Sequence, residues 1–321
     1  MYNHTRASAE AWCDACGLDH SIIYDDVDAL IRDADVISIC TPNYAHTDYI
    51  KKCLEAGTHV LCEKPLGTSS AEFEKLEEPL KQGKAIGMMS YNYRQIPGLQ
   101  MIRELIVSGK MGRVYTIRHC MGAPRLANET VGMEWRFKRD KSGAGALTDF
   151  GSHALDILRY IMGKDDMPLQ NLSARTETFI TQRKGPDGTL QQVENDDSAM
   201  VLATVGDGTL YNLTLSRVGV VSPWLEIVGQ YAIVKFDLMN PFQIELQTRE
   251  PGGCYGPRQT VVSPDAEAWK TCGMHAANMA CAKTAMHFVE LVEKGEQPAT
   301  DLYYGLMIQK DVEAIEAAAK K

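Results

Sequence analysis

Val36-Ile37-Ser38-Ile39-Cys40, followed at once by Thr41-Pro42-Asn43, is the stretch that decides the fold. A short apolar run that ends in a turn, without polar alternation, is the signature of a strand buried on both faces. Such strands occur in parallel sheets covered by helices, and the flanking sequence has that rhythm. Helices are expected over Ala7–Cys16, Val27–Arg32, His46–Ala56 and Ala71–Gln82. Strands are expected over Ser21–Tyr24, His59–Cys62 and Ala85–Ser90. Alternation of this kind predicts a parallel sheet with helices on both faces, the first part of an α/β arrangement.

The pattern changes after a helix expected over Pro97–Ser108 and a strand over Val114–Met121. A helix is expected over Ala146–Met162. Then Ser173–Ile180, Ala199–Thr204, Leu210–Leu215, Leu225–Val228 and Ile233–Phe236 alternate apolar with polar residues, with turns at Gly206-Asp207-Gly208 and Gly229-Gln230. That alternation predicts a large, mostly antiparallel sheet with one buried and one solvated face. Helices over His275–Glu293 and Leu302–Ala319 complete the expectation. The fold class is therefore α/β followed by α+β. The boundary is read at 1–92 and 93–321, with the last helix able to pack back on the first part.

In open α/β sheets, ligands bind outside the carboxyl ends of the parallel strands. Three successive strands here end in polar groups: Thr41-Pro42-Asn43, Glu63-Lys64-Pro65, and Tyr91-Asn92-Tyr93-Arg94. A lysine in a partly dry pocket can exchange a proton near neutral pH. Lys64 precedes a proline, which biases it to extended backbone and permits a cis bond. Farther along stands Gly143-Ala-Gly-Ala-Leu-Thr-Asp149-Phe-Gly-Ser-His153. Asp149 and His153 are spaced to share one helical face, and with Lys64 they make the layout of a proton-transfer triad.

These residues carry a resemblance. The segment from Asp35 to Gly163 resembles the Gfo/Idh/MocA family of sugar and polyol dehydrogenases. The matching stretches are Ser38–Asn43, His46, Glu55–Leu66, Asn92-Tyr93-Arg94, Ser108–Val114, Trp135-Arg136 and the glycine-rich cluster ending in His153. The resemblance implies a catalytic Lys64, His153 as the base for a substrate hydroxyl, and Asp149 holding hydroxyls or orienting His153. It implies NAD or NADP lying along Thr41, Pro42, Asn43, His46, Glu63, Lys64 and Pro65, and a sugar or cyclitol held by Asn92, Arg94, Trp135 and Arg136. Trp135 as core, and Asn43 or Thr47 as a helix N-cap, are competing readings. Asp156 reads as structural, with Arg159 as a partner.

Chains of this kind open with a strand, a glycine-rich turn, a helix and a second strand ending in an acidic residue. No Gly-x-Gly-x-x-Gly stands near the start here, and Met1 falls at or beside the acidic position. A βαβ lead-in of roughly 30 residues is thus expected to be absent from a truncated Rossmann-like domain. An incomplete start is favoured over a natural loss. Loss of the phosphate anchor makes cofactor occupancy weak.

Two alternatives sit beside a dehydrogenase. One is an NAD-using glycosidase or lyase that oxidises its sugar transiently. The other is a cofactor-less binding or assembly subunit. The net charge of −9 with no basic patch speaks against nucleic acid. No apolar run reaches transmembrane length, so no membrane partner is expected. Nine cysteines without framework spacing fit free thiols in the cytoplasm. Cys13-Asp-Ala-Cys16 lacks a second ligand pair at suitable spacing; Cys272, His275 and Cys281 could be assembled into a metal site on paper, but the expectation is that no metal is bound. The antiparallel sheet predicts a homodimer or homotetramer.

Overall fold

Three parallel strands, β1 (Val36–Ile39), β2 (His59–Glu63) and β3 (Gly87–Ser90), lie side by side in that order. The computed structural model describes residues 1–219, 222–250, 252–271 and 273–320. Helix His46–Ala56 carries the chain from β1 to β2, and helix Glu74–Gln82 from β2 to β3. Val60, Leu61 and Cys62 in β2 are all buried, as a strand covered on both sides requires. Gly57, with φ +81°, ends the first crossover helix in the left-handed conformation that a side chain disfavours.

The C-terminal helix Leu302–Ala319 packs on this first sheet. A Cβ on Gly87 would lie 2.6 Å from Leu302 Cδ1, so the strand and helix touch where a side chain is missing. Ser70 Oγ donates to Glu313 Oε2 at 2.6 Å, tying the same helix to the loop after β2. Phe288 and Leu291, on helix Ala276–Lys294, bury Leu61, Ile86 and Met88. Each such apolar side chain contributes about 1.5–3 kcal/mol.

The remaining strands are β4 (Val114–Gly122), β5 (Leu169–Glu177), β6 (Gln182–Lys184), β7 (Leu190–Gln192), β8 (Ser198–Val205), β9 (Thr209–Ser216), β10 (Trp224–Gly229), β11 (Ala232–Asp237), β12 (Gln243–Thr248) and β13 (Gln259–Val262). Eight of them form one sheet in the order β13-β12-β11-β10-β4-β9-β8-β5. All its pairings are antiparallel except β4 with β9, which run parallel. In β8, Ala199, Val201, Ala203 and Val205 point inward, while Met200 and Leu202 face outward and are exposed. The inward side packs on helices Pro97–Val107 and Ser152–Met162 through residues such as Leu99, Ile102, Leu155 and Leu158. The sheets β6–β7 and β1–β3 stand apart from it.

Several local expectations change. Ser21–Tyr24 is no strand: His20–Ile22 forms a 3₁₀ turn because the Asp19 carboxylate accepts from Ser21 N at 2.7 Å. The segment read as one helix from Ala146 opens as a π turn over Leu147–Gly151 before becoming α-helical at Ser152. Strands β6, β7, β12 and β13 and the helix Ala266–Thr271 are additions to the expected set.

Candidate active site

A cleft of about 320 Å³ separates the carboxyl ends of β1 and β2 from the segment that leads into helix Ser152–Met162. Its first wall is made by Cys40, Thr41, Pro42, Asn43, Glu63, Lys64 and Pro65. Its second wall is Trp135, Arg136, Ser142 to Gly145, Thr148, Asp149 and Arg217, Gly143 excepted. His46 is fully buried behind the first wall, where its ring nitrogens lie 2.7 Å from Pro65 O and 2.8 Å from Thr41 O. Burial holds that imidazole below its ordinary pKa against those two carbonyls. A neutral ring donates to one of them, so His46 braces the two strand-end turns against each other. The Lys64–Pro65 bond is cis.

Lys64 crosses the cleft. Its Nζ donates to Asp149 Oδ1 at 2.7 Å and to Asp149 O at 2.8 Å. The acceptor carbonyl belongs to the π turn, a distortion that recurs at functional sites. Partial burial works to raise the Asp149 carboxyl, yet the charge and hydrogen bond of Lys64 outweigh it, aided by His153 and Arg136, and hold it below its ordinary value. His153 sits one turn along and is not among the residues that line the cleft. Burial first, and then the Lys64 charge, push its imidazole well below the ordinary value despite Asp149. Its Nδ1 is buried without a partner, and Tyr93 packs edge-on against the ring at 4.6 Å. The three groups therefore make an ammonium–carboxylate pair beside a neutral imidazole. That is a set able to orient a hydroxyl and accept its proton.

Other predicted residues fall elsewhere. Arg94 does not line the cleft: its Nε donates to Asp156 Oδ1 at 2.8 Å, its Nη2 to Asp165 at 3.2 Å, and its plane lies 4.8 Å from the Tyr304 ring. Asp156 therefore pairs with Arg94 rather than Arg159, which binds Asp311. Asn92 also lies off the cleft wall and donates to Cys281 Sγ at 3.0 Å. Asn43 donates to Ser142 O at 3.0 Å, joining the two walls rather than capping a helix. Trp135 and Arg136 are both on the wall, with the guanidinium 4.5 Å over the indole. Cys272 lies outside the described residues. Among those described, no group of three His, Cys, Asp or Glu side chains is placed to hold a metal ion.

The glycine-rich stretch has a steric origin. Gly143 has φ +76°, and a Cβ on Gly145 would stand 1.8 Å from Asp196 O. Asn195 Nδ2 donates to Arg136 O, Ser142 Oγ and Gly143 O, at 3.0, 2.9 and 3.2 Å. Arg217, 3% exposed, donates to Asn195 Oδ1 and pairs with Asp197. None of Asn195, Asp196, Asp197 or Arg217 was expected from the sequence. The available signal was a run of polar side chains, Glu194-Asn195-Asp196-Asp197, placed immediately before a core strand.

Residues 1–91 match the oxidoreductase family with an NAD-binding Rossmann fold, and residues 99–235 match the GFO/IDH/MocA C-terminal domain. The chain belongs to the Gfo/Idh/MocA family. Levoglucosan dehydrogenase of Pseudarthrobacter phenanthrenivorans is 28% identical over 203 residues, covering 59% of this chain and 51% of that protein. Glucose-6-phosphate 3-dehydrogenase of Bacillus subtilis is 24% identical over 251 residues, covering 77% and 69%. The D-glucoside 3-dehydrogenase of Escherichia coli is 30% identical over 165 residues, covering 49% and 44%. This Gfo/Idh/MocA chain thus spans about half the length of the first of these relatives. Among solved structures, levoglucosan dehydrogenase in complex with NADH superposes with a TM-score of 0.87 at 22% identity, over 99% of this chain and 87% of that one. An oxidoreductase domain protein from Kribbella flavida gives 0.86 at 24%, with the same coverage. At such identities the likeness speaks for the fold. No helix among the described residues is long and apolar enough to cross a membrane.

Proposed function

We propose that the cleft is the site of an NAD(P)-dependent dehydrogenase acting on a hydroxyl-bearing carbon of a sugar or cyclitol. The observation that carries this reading is the convergence of Lys64, from a strand end of the first sheet, on Asp149, one turn from the neutral His153. His153 takes the hydroxyl proton of the substrate. Lys64 orients that hydroxyl, and Asp149 holds both the lysine and a neighbouring hydroxyl. Trp135 offers an apolar platform to a ring face, and Arg136 a charged donor at its edge. A bound nicotinamide would supply the hydride acceptor, and the protein positions the reacting carbon against it.

The residues of the first wall fit such a group. The ends of β1 and β2 present Thr41-Pro42-Asn43 and Glu63 along one edge, and the Thr41 hydroxyl is buried with no protein partner. A polar atom so placed suits an ordered ligand or water. The names of the relatives, which include an inositol 2-dehydrogenase of Rhizobium meliloti, support a polyhydroxylated ring as substrate. The same reading assigns residues 1–92 to the cofactor and 93–321 to substrate and assembly. It places a homodimer or homotetramer contact on the outer sheet face, where Met200, Leu202, Leu210 and Trp224 are exposed. The free thiols suit a reducing compartment such as the cytoplasm.

The test is a panel of free sugars and inositols with NAD or NADP, read by accumulation of reduced nicotinamide. Accumulation with at least one substrate is expected, and it is what separates net oxidation from transient oxidation within a hydrolase or lyase. Because cofactor occupancy is expected to be weak, NAD and NADP are supplied in large excess, and absence of turnover across the panel under that excess overturns the proposal.

A further inference from the structure

Three consecutive backbone N–H groups in front of Asp149 end on one residue that does not line the cleft. Gly145 N donates to Asp196 Oδ1 at 2.9 Å and Leu147 N to Asp196 Oδ2 at 3.0 Å, while Ala146 N donates to Asp196 O at 2.9 Å. Gly145 O in turn accepts from Asp149 N at 3.0 Å. One buried carboxylate therefore stands two hydrogen bonds away from the residue that receives Lys64. The contact is too close for any other arrangement: with a Cβ on Gly145 only 1.8 Å from Asp196 O, the segment cannot carry a side chain there.

The first N–H groups of a helical segment have no partner within it. A carboxylate that takes two of them makes strong, charge-assisted bonds and faces the positive end of the helix. The flanking residues keep it in place. Asn195 binds the backbone of Arg136 and Gly143, and Asp197 accepts from Phe179 N and Ile180 N at 2.9 and 2.8 Å while pairing with Arg217.

We infer that Asp196 is a positioning residue for the Lys64–Asp149 pair. It gathers the backbone from Gly145 to Leu147, sets where the Asp149 carbonyl and carboxylate stand, and so fixes where the lysine is held. Only the activity arm of its test rests on the dehydrogenase reading.

The experiment uses the full chain with Asp196→Asn and Asp196→Ser. In the first, the amide nitrogen faces an N–H donor; in the second, one acceptor remains at shorter reach. Lys64 is followed by mass spectrometry during brief acylation of the folded protein, with the exposed Lys110 as reference. In the unaltered chain, Lys64 is 14% exposed at its side chain and held by two acceptors, so labelling is slow. Asp196→Asn is expected to speed Lys64 labelling roughly tenfold, the worth of one lost charge-assisted bond, with Lys110 unchanged and Asp196→Ser intermediate. With an active substrate, kcat falls roughly 10²-fold and KM changes less, because misplacing the pair by about 1 Å affects the reacting geometry before binding. Unchanged Lys64 labelling in folded variants overturns the inference, as does loss of folding in both, since the role would then be structural alone. Faster labelling in a chain that oxidises nothing, altered or not, would instead count against the dehydrogenase reading and leave the positioning role standing.

Discussion

Consider Lys64→Met, a change that keeps the unbranched stem up to the position of Cε and removes the terminal ammonium with its charge. Lys64 holds two acceptors on Asp149 across the cleft, yet the Asp149 side chain is 43% exposed. Water can therefore replace the lost ammonium, and the stability cost is that of a screened pair, about 1 kcal/mol or less. Turnover has no such substitute. Loss of the group that orients the reacting hydroxyl for proton transfer lowers kcat by roughly 10²–10⁴, equivalent to about 2.7–5.4 kcal/mol of barrier. The two losses should thus differ several-fold, which urea unfolding and steady-state kinetics on the same preparation will measure. Acid adds a second reading. In the unaltered chain, Lys64 holds the Asp149 carboxyl below its unfolded value near 3.9. Its contribution to stability is present above about pH 4 and is lost as pH falls through the depressed folded value. The stability gap between the two proteins should therefore be flat near neutrality and close below about pH 4. Near-normal kcat in the variant, or a gap that widens in acid, would refute the reasoning.

Two further outcomes follow from the same geometry. His153→Gln should lower kcat roughly 10²–10⁴-fold. It should also flatten the pH dependence of stability below about pH 6.5, where the unfolded chain takes up a proton that the folded imidazole refuses; an unaltered stability slope in that window would contradict the neutral assignment. Arg94→Met leaves Asp156, 1% exposed at its side chain, with Tyr304 as its remaining donor, so a loss of about 3–5 kcal/mol is expected with KM little changed. A raised KM at full stability would move Arg94 back to the substrate.

The parallel core was legible at His59–Glu63, where burial on both faces leaves a composition mark. Val36–Ile39 carries the same apolar run, yet as an edge strand of the three-stranded sheet it buries only Ile39 fully and leaves Ser38 exposed, so its two-sided burial was not borne out. Their ends were legible for the same reason, since the chain must turn polar where it leaves the sheet. The edge strand β13 and its neighbour β12 were not, because Gln259–Val262 and Gln243–Thr248 are mixed in polarity and take strand form through their neighbours. Arg94 stood beside cleft residues in the chain, but its partner Asp156 is set by tertiary packing that spacing does not encode. Asp196 was hidden for a related reason. A carboxylate before a strand looks like a solvated turn until the backbone it caps is brought against it.

The parallel pairing of β4 with β9 bears on how the protein acquires its site. Thr116 lies opposite Leu210, and the chain between them holds Trp135, Arg136, Asp149, His153 and Asp196. All of these are therefore enclosed in one long loop, whose closure costs entropy before any of its contacts form. The wall facing Lys64 is itself tied by bonds between residues far apart in sequence, Gly143 with Asn195 and Gly145 with Asp196, unlike a site carried on a hairpin. In kinetic terms, competence should arrive late in refolding and in step with the central sheet, at the slow pace of distant pairings.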